Sequence, residues 1–130
     1  IMEADIIMGK FSADAKELLA AIGGKENIVA VFQPHRYTRL KSLWEEFKTS
    51  FKGAGRIIVT DIYAASEDPI AGISAEKFSS ELENAEYISG SISEVAEKLL
   101  PTLNKGNIVI GLGAGTITEL GKNLQKLSLV

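Results

Sequence analysis

The sequence predicts an α/β domain in which helices cover both faces of a parallel sheet. Short, β-branched, uncharged segments alternate with amphipathic segments along the chain, which is the pattern of strands joined by helical crossovers. The clearest apolar segment, Ile28–Phe32, reads as a strand buried on both faces. With 130 residues, the chain is long enough for one core, so we expect a single domain over residues 1–130.

The first half of the chain predicts three strands and two helices. The strands are Ala4–Met8, Ile28–Phe32 and Arg56–Thr60. Ser12 is placed to cap a first helix through Ala21 that ends at Gly23 and Gly24. Thr38 is placed to cap the second helix, because apolar side chains then recur at helical spacing. These core side chains are Leu40, Leu43, Trp44, Phe47 and Phe51.

The second half follows the same alternation after a loop over residues 61–73. It predicts strands at 85–88 and 108–112. Ser74 fits the cap of a helix through Leu82, and either Ser91 or Ser93 fits the cap of a helix through Leu100. A final helix is expected from Thr116 to Leu127.

Composition excludes several classes of function. The net charge of −3 provides no basic field for nucleic acid. The chain has no cysteine and one histidine, so disulfides, thiol catalysis and a metal site are not expected. No apolar run is long enough to span a membrane and no signal peptide pattern is present, so we expect a cytoplasmic protein without a membrane partner.

Chemically informative residues follow three of the predicted strands. In a parallel sheet the carboxyl ends of the strands meet at one edge, so these residues should share a single site. Two guanidiniums there suit an anionic ligand, either a carboxylate or a phosphate. The candidates are His35, Arg36, Tyr37 and Arg39 after the second strand, Asp61 and Tyr63 after the third, and Gly111–Thr116 at the fifth.

Each of these candidates has an alternative interpretation. Arg36 and Arg39 could be solvated charges at the start of a helix, and Asp61 could be a turn residue instead of a general base or a partner for an ammonium group. The glycine segment is a weak dinucleotide motif, because it lies in the last strand–helix unit, and a tight packing turn is favoured. A phosphate-binding loop of the Gly-x-x-x-x-Gly-Lys-Ser/Thr type is absent.

Three motifs together resemble a known family. They are Phe-Gln-Pro-His-Arg-Tyr-Thr-Arg from Phe32, Asp-Ile-Tyr-Ala-Ala-Ser-Glu-Asp-Pro-Ile-Ala-Gly-Ile-Ser from Asp61, and Gly-Ala-Gly-Thr-Ile from Gly113. In this order they resemble the C-terminal domain of the UDP-N-acetylmuramate–L-alanine ligases of the Mur ligase family. The resemblance covers roughly residues 27–127. It implies a three-layer, Rossmann-like domain with a mostly parallel sheet of five to six strands, one of them antiparallel and among the last.

The resemblance also implies a function. These ligases use ATP and Mg²⁺, bound mainly by a central ATPase domain, to join L-alanine to UDP-N-acetylmuramate in peptidoglycan synthesis. The domain would bind the amino acid and the substrate, and it would be inactive, without a cofactor of its own, as an isolated chain. The matching positions for substrate are His35, Arg36, Tyr37, Arg39, Asp61 and Tyr63.

Residues 1–26 depart from the family pattern. The family carries a motif with an aspartate that contacts the ATP ribose, followed by two histidines and a proline. In this chain Asp5 is the only match, and it is the expected cofactor-binding residue. The departure leaves an alternative open, in which the chain is an engineered or recombined α/β domain on the same scaffold without enzymatic activity.

Overall fold

The computed structural model describes residues 4–9, 25–104 and 106–128, with backbone only for 4–9 and 25. It contains a single sheet of parallel strands whose bounds agree closely with the sequence analysis. The strands are β1 (Ala4–Gly9), β2 (Ile28–Phe32), β3 (Arg56–Thr60), β4 (Ala85–Ile88) and β5 (Asn107–Leu112).

The strand order is β1-β5-β2-β3-β4, which places β2 at the centre. Val29 pairs with both Arg56 of β3 and Val109 of β5. Side chains are described for four strands, β5, β2, β3 and β4. β1 is described by its backbone alone and lies at the edge of the sheet beside β5.

The prediction of one antiparallel strand is wrong, because every strand pairing in the described part of the chain is parallel. The physical reason is the connection on each side of β4. A helix precedes it and another follows it, and a helical crossover returns the chain to the sheet in the original direction. A mostly parallel sheet of five to six strands with one antiparallel member is therefore corrected to an entirely parallel sheet over the described residues.

Helices fill the crossovers described by the structure. They are α1 (Tyr37–Ser42), α2 (Trp44–Thr49), α3 (Ala75–Ser80), α4 (Ile92–Leu99) and α5 (Leu120–Ser128). Short 3₁₀ turns occupy Lys25–Asn27, Leu100–Thr102 and Thr116–Glu119. The helix expected between Ser12 and Ala21 lies outside the described residues.

Two helix predictions need correction. The helix expected from Thr38 onward is divided into α1 and α2 at Leu43, whose φ of −108° and ψ of 16° leave helical geometry. The final helix begins as a 3₁₀ turn at Thr116 and becomes α-helical only at Leu120. Apolar spacing predicts the buried face in both cases, but it does not report where backbone hydrogen bonds are interrupted.

Serine caps start two of the helices as predicted. The Ser74 hydroxyl accepts a hydrogen bond from the Lys77 amide at 3.0 Å. Ser91, not Ser93, caps α4, and it forms a reciprocal capping box with Glu94. Both caps fix where the chain turns back towards the sheet.

The core has one layer on each face of the sheet, because successive residues of a buried strand point to opposite faces. On one face Phe32 contacts three other aromatic rings, with centroids 5.1–5.7 Å away. These rings belong to Phe47, Phe51 and Phe78. On the other face Val31 and Ile58 pack with residues of α4 and α5. The expected three-layer arrangement is present.

Candidate functional site

The loops that follow β2 and β3 remain paired beyond the strands. The Tyr63 amide donates to the Pro34 carbonyl at 2.8 Å, and the Arg36 amide donates to the Tyr63 carbonyl at 2.8 Å. His35 and Tyr63 thus form an isolated parallel bridge. Because β2 is central, its loop is held between the loops of both neighbouring strands.

Gln33 attaches the β2 loop to the β5 loop. Its side-chain amide donates to the Thr116 hydroxyl at 2.9 Å, and its side-chain oxygen accepts from the Ile117 amide at 3.0 Å. The residue is only 5% exposed, and its bond to the Ile117 amide is shielded from water. This role of Gln33 was not predicted from the sequence, although its position directly after a buried strand was a usable signal.

Tyr63 contacts the other two loops. Its ring stacks on His35 with centroids 5.6 Å apart and planes 11° from parallel. A Cβ atom placed on Gly115 would lie 2.6 Å from Tyr63 Cγ, so only glycine permits this approach. The three strand ends therefore form one continuous rim, made by His35 from β2, Tyr63 from β3 and Gly115 from β5.

Arg36 has an unusual backbone conformation. Its φ of 72° and ψ of 142° lie in a region that residues with a Cβ atom avoid. Such strain costs of order 1–3 kcal/mol and occurs preferentially at functional sites. The strained residue stands where the chain leaves the rim and enters α1.

An open cleft of about 480 Å³ lies beside this residue. The wall consists of His35, Arg36, Thr38, Arg39, Ser42 and Leu43. Arg36 and Arg39 are exposed, and neither forms an ion pair within the described part of the chain. Two fork-shaped donors on one cleft, without a carboxylate partner, give the cleft a positive charge suited to a planar anion.

The N-terminus of α1 is capped by Glu67 from the loop after β3. One oxygen of Glu67 accepts from the Thr38 amide at 3.1 Å and the other accepts from the Thr38 hydroxyl at 2.5 Å. Thr38 is thus inside the helix, and the prediction that it is the cap is wrong. Glu67 is the residue that fills the capping role, from a loop distant in the chain.

These contacts lower the pKa of the Glu67 carboxyl from its ordinary value. The hydrogen bond from the Thr38 hydroxyl is the main cause, and the amides of Thr38 and Tyr37 and the charge of Arg36 act in the same direction. Glu67 is consequently an anion held next to the cationic cleft.

Asp61 lies at the rim but faces β4. One carboxylate oxygen accepts a short hydrogen bond from the Tyr87 hydroxyl, and the other accepts from the Gly90 amide at 2.9 Å. The bond to Asp61 and partial burial raise the pKa of Tyr87 to about 12. Asp61 therefore joins the ends of β3 and β4, and it does not line the cleft.

Two candidate residues remain, Tyr37 at the start of α1 and Asp5 in β1. Tyr37 is the first residue of α1 and is half-buried beside the cleft residues. Asp5 of β1 pairs with Ile108 of β5 and precedes Gly9, the last residue of β1, by four positions. Because each strand residue advances the chain by about 3.3 Å, the Asp5 backbone lies about 13 Å from the carboxyl end of β1, near the edge of the sheet opposite the rim.

Comparison with known proteins supports the family resemblance, although no family profile matches the chain. The UDP-N-acetylmuramate–L-alanine ligase of Geotalea daltonii is 40% identical over 123 residues, which are 89% of this chain and 27% of the relative. The ligase of that name from Pelobacter propionicus is 42% identical over 127 residues, 92% of this chain and 27% of the relative. The chain belongs to the Mur ligase family.

A solved structure agrees with this Mur ligase assignment at the level of the fold. It is a domain ascribed to a UDP-N-acetylmuramate:L-alanyl-γ-D-glutamyl-meso-diaminopimelate ligase of Haemophilus ducreyi. The TM-score is 0.59 at 15% identity, over 95% of this chain and 91% of that domain. By contrast, this Mur ligase chain spans little more than a quarter of the curated relatives named above.

Among the described residues no group of three His, Asp or Glu side chains could hold a metal ion. The sequence also lacks a phosphate-binding loop. None of the helices that the structure describes is long and apolar enough to cross a bilayer.

Proposed function

We propose that this chain is the C-terminal domain of a UDP-N-acetylmuramate–L-alanine ligase and that its cationic cleft binds the incoming L-alanine. The relatives that it matches carry this activity in their names, and the chain aligns with only part of their length. The observation that carries the proposal is the pair Arg36 and Arg39 on one cleft, exposed and without an ion pair in the described residues.

The guanidiniums would act by binding and orienting the amino acid. A carboxylate accepts two parallel hydrogen bonds from each guanidinium fork, and this geometry fixes the direction of the molecule as well as its position. With the carboxylate held by Arg36 and Arg39, the amine is directed out of the cleft towards the acyl group that it must attack. Holding the two reactants in this way removes much of the entropic barrier of the reaction.

The aromatic residues of the rim would shape the wall of this site. The stacked pair His35 and Tyr63 forms a rigid surface, since Gly115 allows the loop of β5 to pack against the Tyr63 ring. Tyr37 would extend the wall at the start of α1. We assign Asp61 to support of the rim, because its two oxygens already accept from Tyr87 and Gly90.

ATP and Mg²⁺ would be supplied by another part of the protein. The described residues offer no metal site, and the chain has no phosphate-binding loop, so both groups belong to a central ATPase domain in this proposal. UDP-N-acetylmuramate would reach the cleft from that domain. We assign no ligand to Asp5, because its backbone lies within β1. On this basis the isolated chain is inactive.

A chimera tests the proposal directly. The matching segment of the Geotalea daltonii ligase is replaced by this chain, and release of ADP is measured with UDP-N-acetylmuramate and increasing L-alanine. We expect alanine-dependent ADP release. A folded chimera without this release, next to an active parent enzyme, would overturn the proposal and favour a scaffold without enzymatic activity.

Point variants of the chimera then test the cleft. Arg36→Ala and Arg39→Ala should each raise the KM for alanine about 10- to 100-fold, since each removes charge-assisted hydrogen bonds to the carboxylate. The turnover number should change less, because these bonds exist before the reaction as well as during it. Lys41→Ala is the matched control, an exposed cation of α1 outside the cleft. Equal KM values for all three variants would refute the assignment.

A further inference from the structure

We propose that Glu67 is a positioning residue that sets the orientation of Arg36 and Arg39 by capping α1 from a neighbouring loop. The identity of the ligand rests on the proposed function, whereas the positioning itself does not. Glu67 lies 29 residues from Thr38 in the chain, yet both of its carboxylate oxygens bind to that residue.

The first turn of α1 has no cap from its own side chains. Arg36 occupies the cap position, and its side chain forms no capping hydrogen bond. The first turn of α1 contains no acidic residue of its own. An uncapped helix end leaves backbone amides without a partner and frays. Glu67 supplies the missing acceptor, so the first turn of α1 depends on a side chain from the β3 loop.

The backbone of Arg36 is held by a hydrogen bond on each side. Its amide donates to the Tyr63 carbonyl at 2.8 Å, and its carbonyl accepts from the Leu40 amide at 3.2 Å. Between these bonds the residue adopts its strained φ of 72°. Strain of this kind persists only where the surroundings over-determine the conformation. Loss of the Glu67 cap would loosen the first turn of α1, and with it the hydrogen bond between the Arg36 carbonyl and the Leu40 amide.

The loop that presents Glu67 has an unusual backbone conformation. Ala65 and Ser66, directly before it, have positive φ values of 50° and 72°. The Glu67 amide donates to the Ala64 carbonyl at 3.0 Å and closes the turn. Residues with a Cβ atom adopt positive φ at a cost, and two in succession are unusual. The backbone of this turn is thus bent in a way that points Glu67 at α1.

The carboxylate of Glu67 lies near Arg36 without pairing with it. The negative charge of Glu67 acts on Arg36, yet the two residues form no ion pair within 4.0 Å. Glu67 is engaged by Thr38, so it leaves the guanidinium of Arg36 available to a ligand. A carboxylate that paired with Arg36 directly would instead compete with the substrate carboxylate. Glu67 acts through the backbone of α1 and touches no ligand.

The test uses variants of the ligase chimera, with KM for alanine and turnover measured separately. Glu67→Ala should raise the KM about tenfold, a loss of the size expected for a helix cap, while turnover at saturating alanine falls less than threefold. Glu67→Gln keeps an oxygen for the Thr38 amide and should recover most of the affinity. Asp68→Ala is the control, because Asp68 is exposed and forms no hydrogen bond or ion pair within the described residues.

A second pair of variants shows whether the effect passes through Thr38. Thr38→Val removes only the hydroxyl that donates to Glu67, and Thr38→Ser retains it. The double variant of Glu67→Ala and Thr38→Val should have nearly the same KM as Glu67→Ala alone. Additive effects, or a KM for Glu67→Ala equal to that of Asp68→Ala, would overturn the proposal.

A measurement without turnover separates this proposal from the proposed function. Hydrogen exchange of the Thr38 amide in the same chimera should accelerate about tenfold in Glu67→Ala and remain unchanged in Asp68→Ala. If exchange accelerates but no variant or parent chimera uses alanine, the proposed function fails and the capping role stands. If exchange is unchanged, the positioning role of Glu67 is wrong even where the ligase is active.

Discussion

Substitution of Gly115 by alanine tests whether the three loops of the rim meet as described. The new Cβ atom would lie 2.6 Å from Tyr63 Cγ and 2.9 Å from Gln33 Oε1, whereas ordinary contacts begin at 3.4 Å. The Tyr63 ring must therefore move about 0.8 Å away from the new Cβ atom, which displaces it from its stacking position on His35. The φ of Gly115 is −112°, so the cost arises from this clash and not from a left-handed backbone.

The size of the effect follows from the two contacts. Forcing an extra methyl group into a packed region costs about 1–3 kcal/mol. For a chain of this length, each kcal/mol lowers the melting temperature by about 3–5 °C. We expect the midpoint of urea denaturation and the melting temperature to fall accordingly. The same substitution in a Tyr63→Ala background removes the closest contact, and there it should cost less than half as much.

Two results would refute this reasoning. A Gly115→Ala protein as stable as the parent would mean that the loop of β5 is not packed against Tyr63. An equal loss of stability with and without the Tyr63 ring would place the clash elsewhere. In either case the rim would not be one continuous surface, and the site built on it would lose its geometric basis.

Two further predictions concern the core and the end of the sheet. Phe32→Ala should lower the free energy of unfolding by about 3–5 kcal/mol in a denaturation experiment, because Phe32 is 1% exposed at the centre of an aromatic cluster; a loss below about 1 kcal/mol would contradict this packing. The hydrogen bond to Asp61 raises the pKa of Tyr87 from 10.0 to about 12. The contribution of this bond to the free energy of unfolding is therefore complete below pH 10 and disappears as the pH rises to about 12. Tyr87→Phe should remove this loss, and a tyrosinate absorbance titration assigning Tyr87 a midpoint near 10 would refute it.

The sequence predicted the strands well because their signal is local. Ile28–Phe32 is apolar throughout and bounded by polar residues, and its limits match the structure. Serine caps such as Ser91 with Glu94 are also local, since both members lie within one turn. The antiparallel strand was expected from the resemblance alone, and no residue pattern in the chain supported it.

The parts of the site that sequence reasoning missed depend on distant contacts. Glu67 caps a helix 29 residues away, and Gln33 binds Thr116 across 83 residues. Neither partner can be identified from spacing along the chain. His35, Arg36 and Arg39 were predicted together because they are close in sequence, and they do share a cleft. Asp61 was placed at the correct strand end, but its orientation towards Tyr87 depends on β4.

The strand order has a consequence for how the domain is assembled during synthesis. β5 lies between β1 and β2, although it is made last of the described strands. A growing chain that stops short of Asn107 can pair β3 with β2 and β4, but among the described strands β1 pairs with β5 alone. β1 must therefore wait for β5 before it joins the sheet, and the loop that packs against Tyr63 is added together with β5.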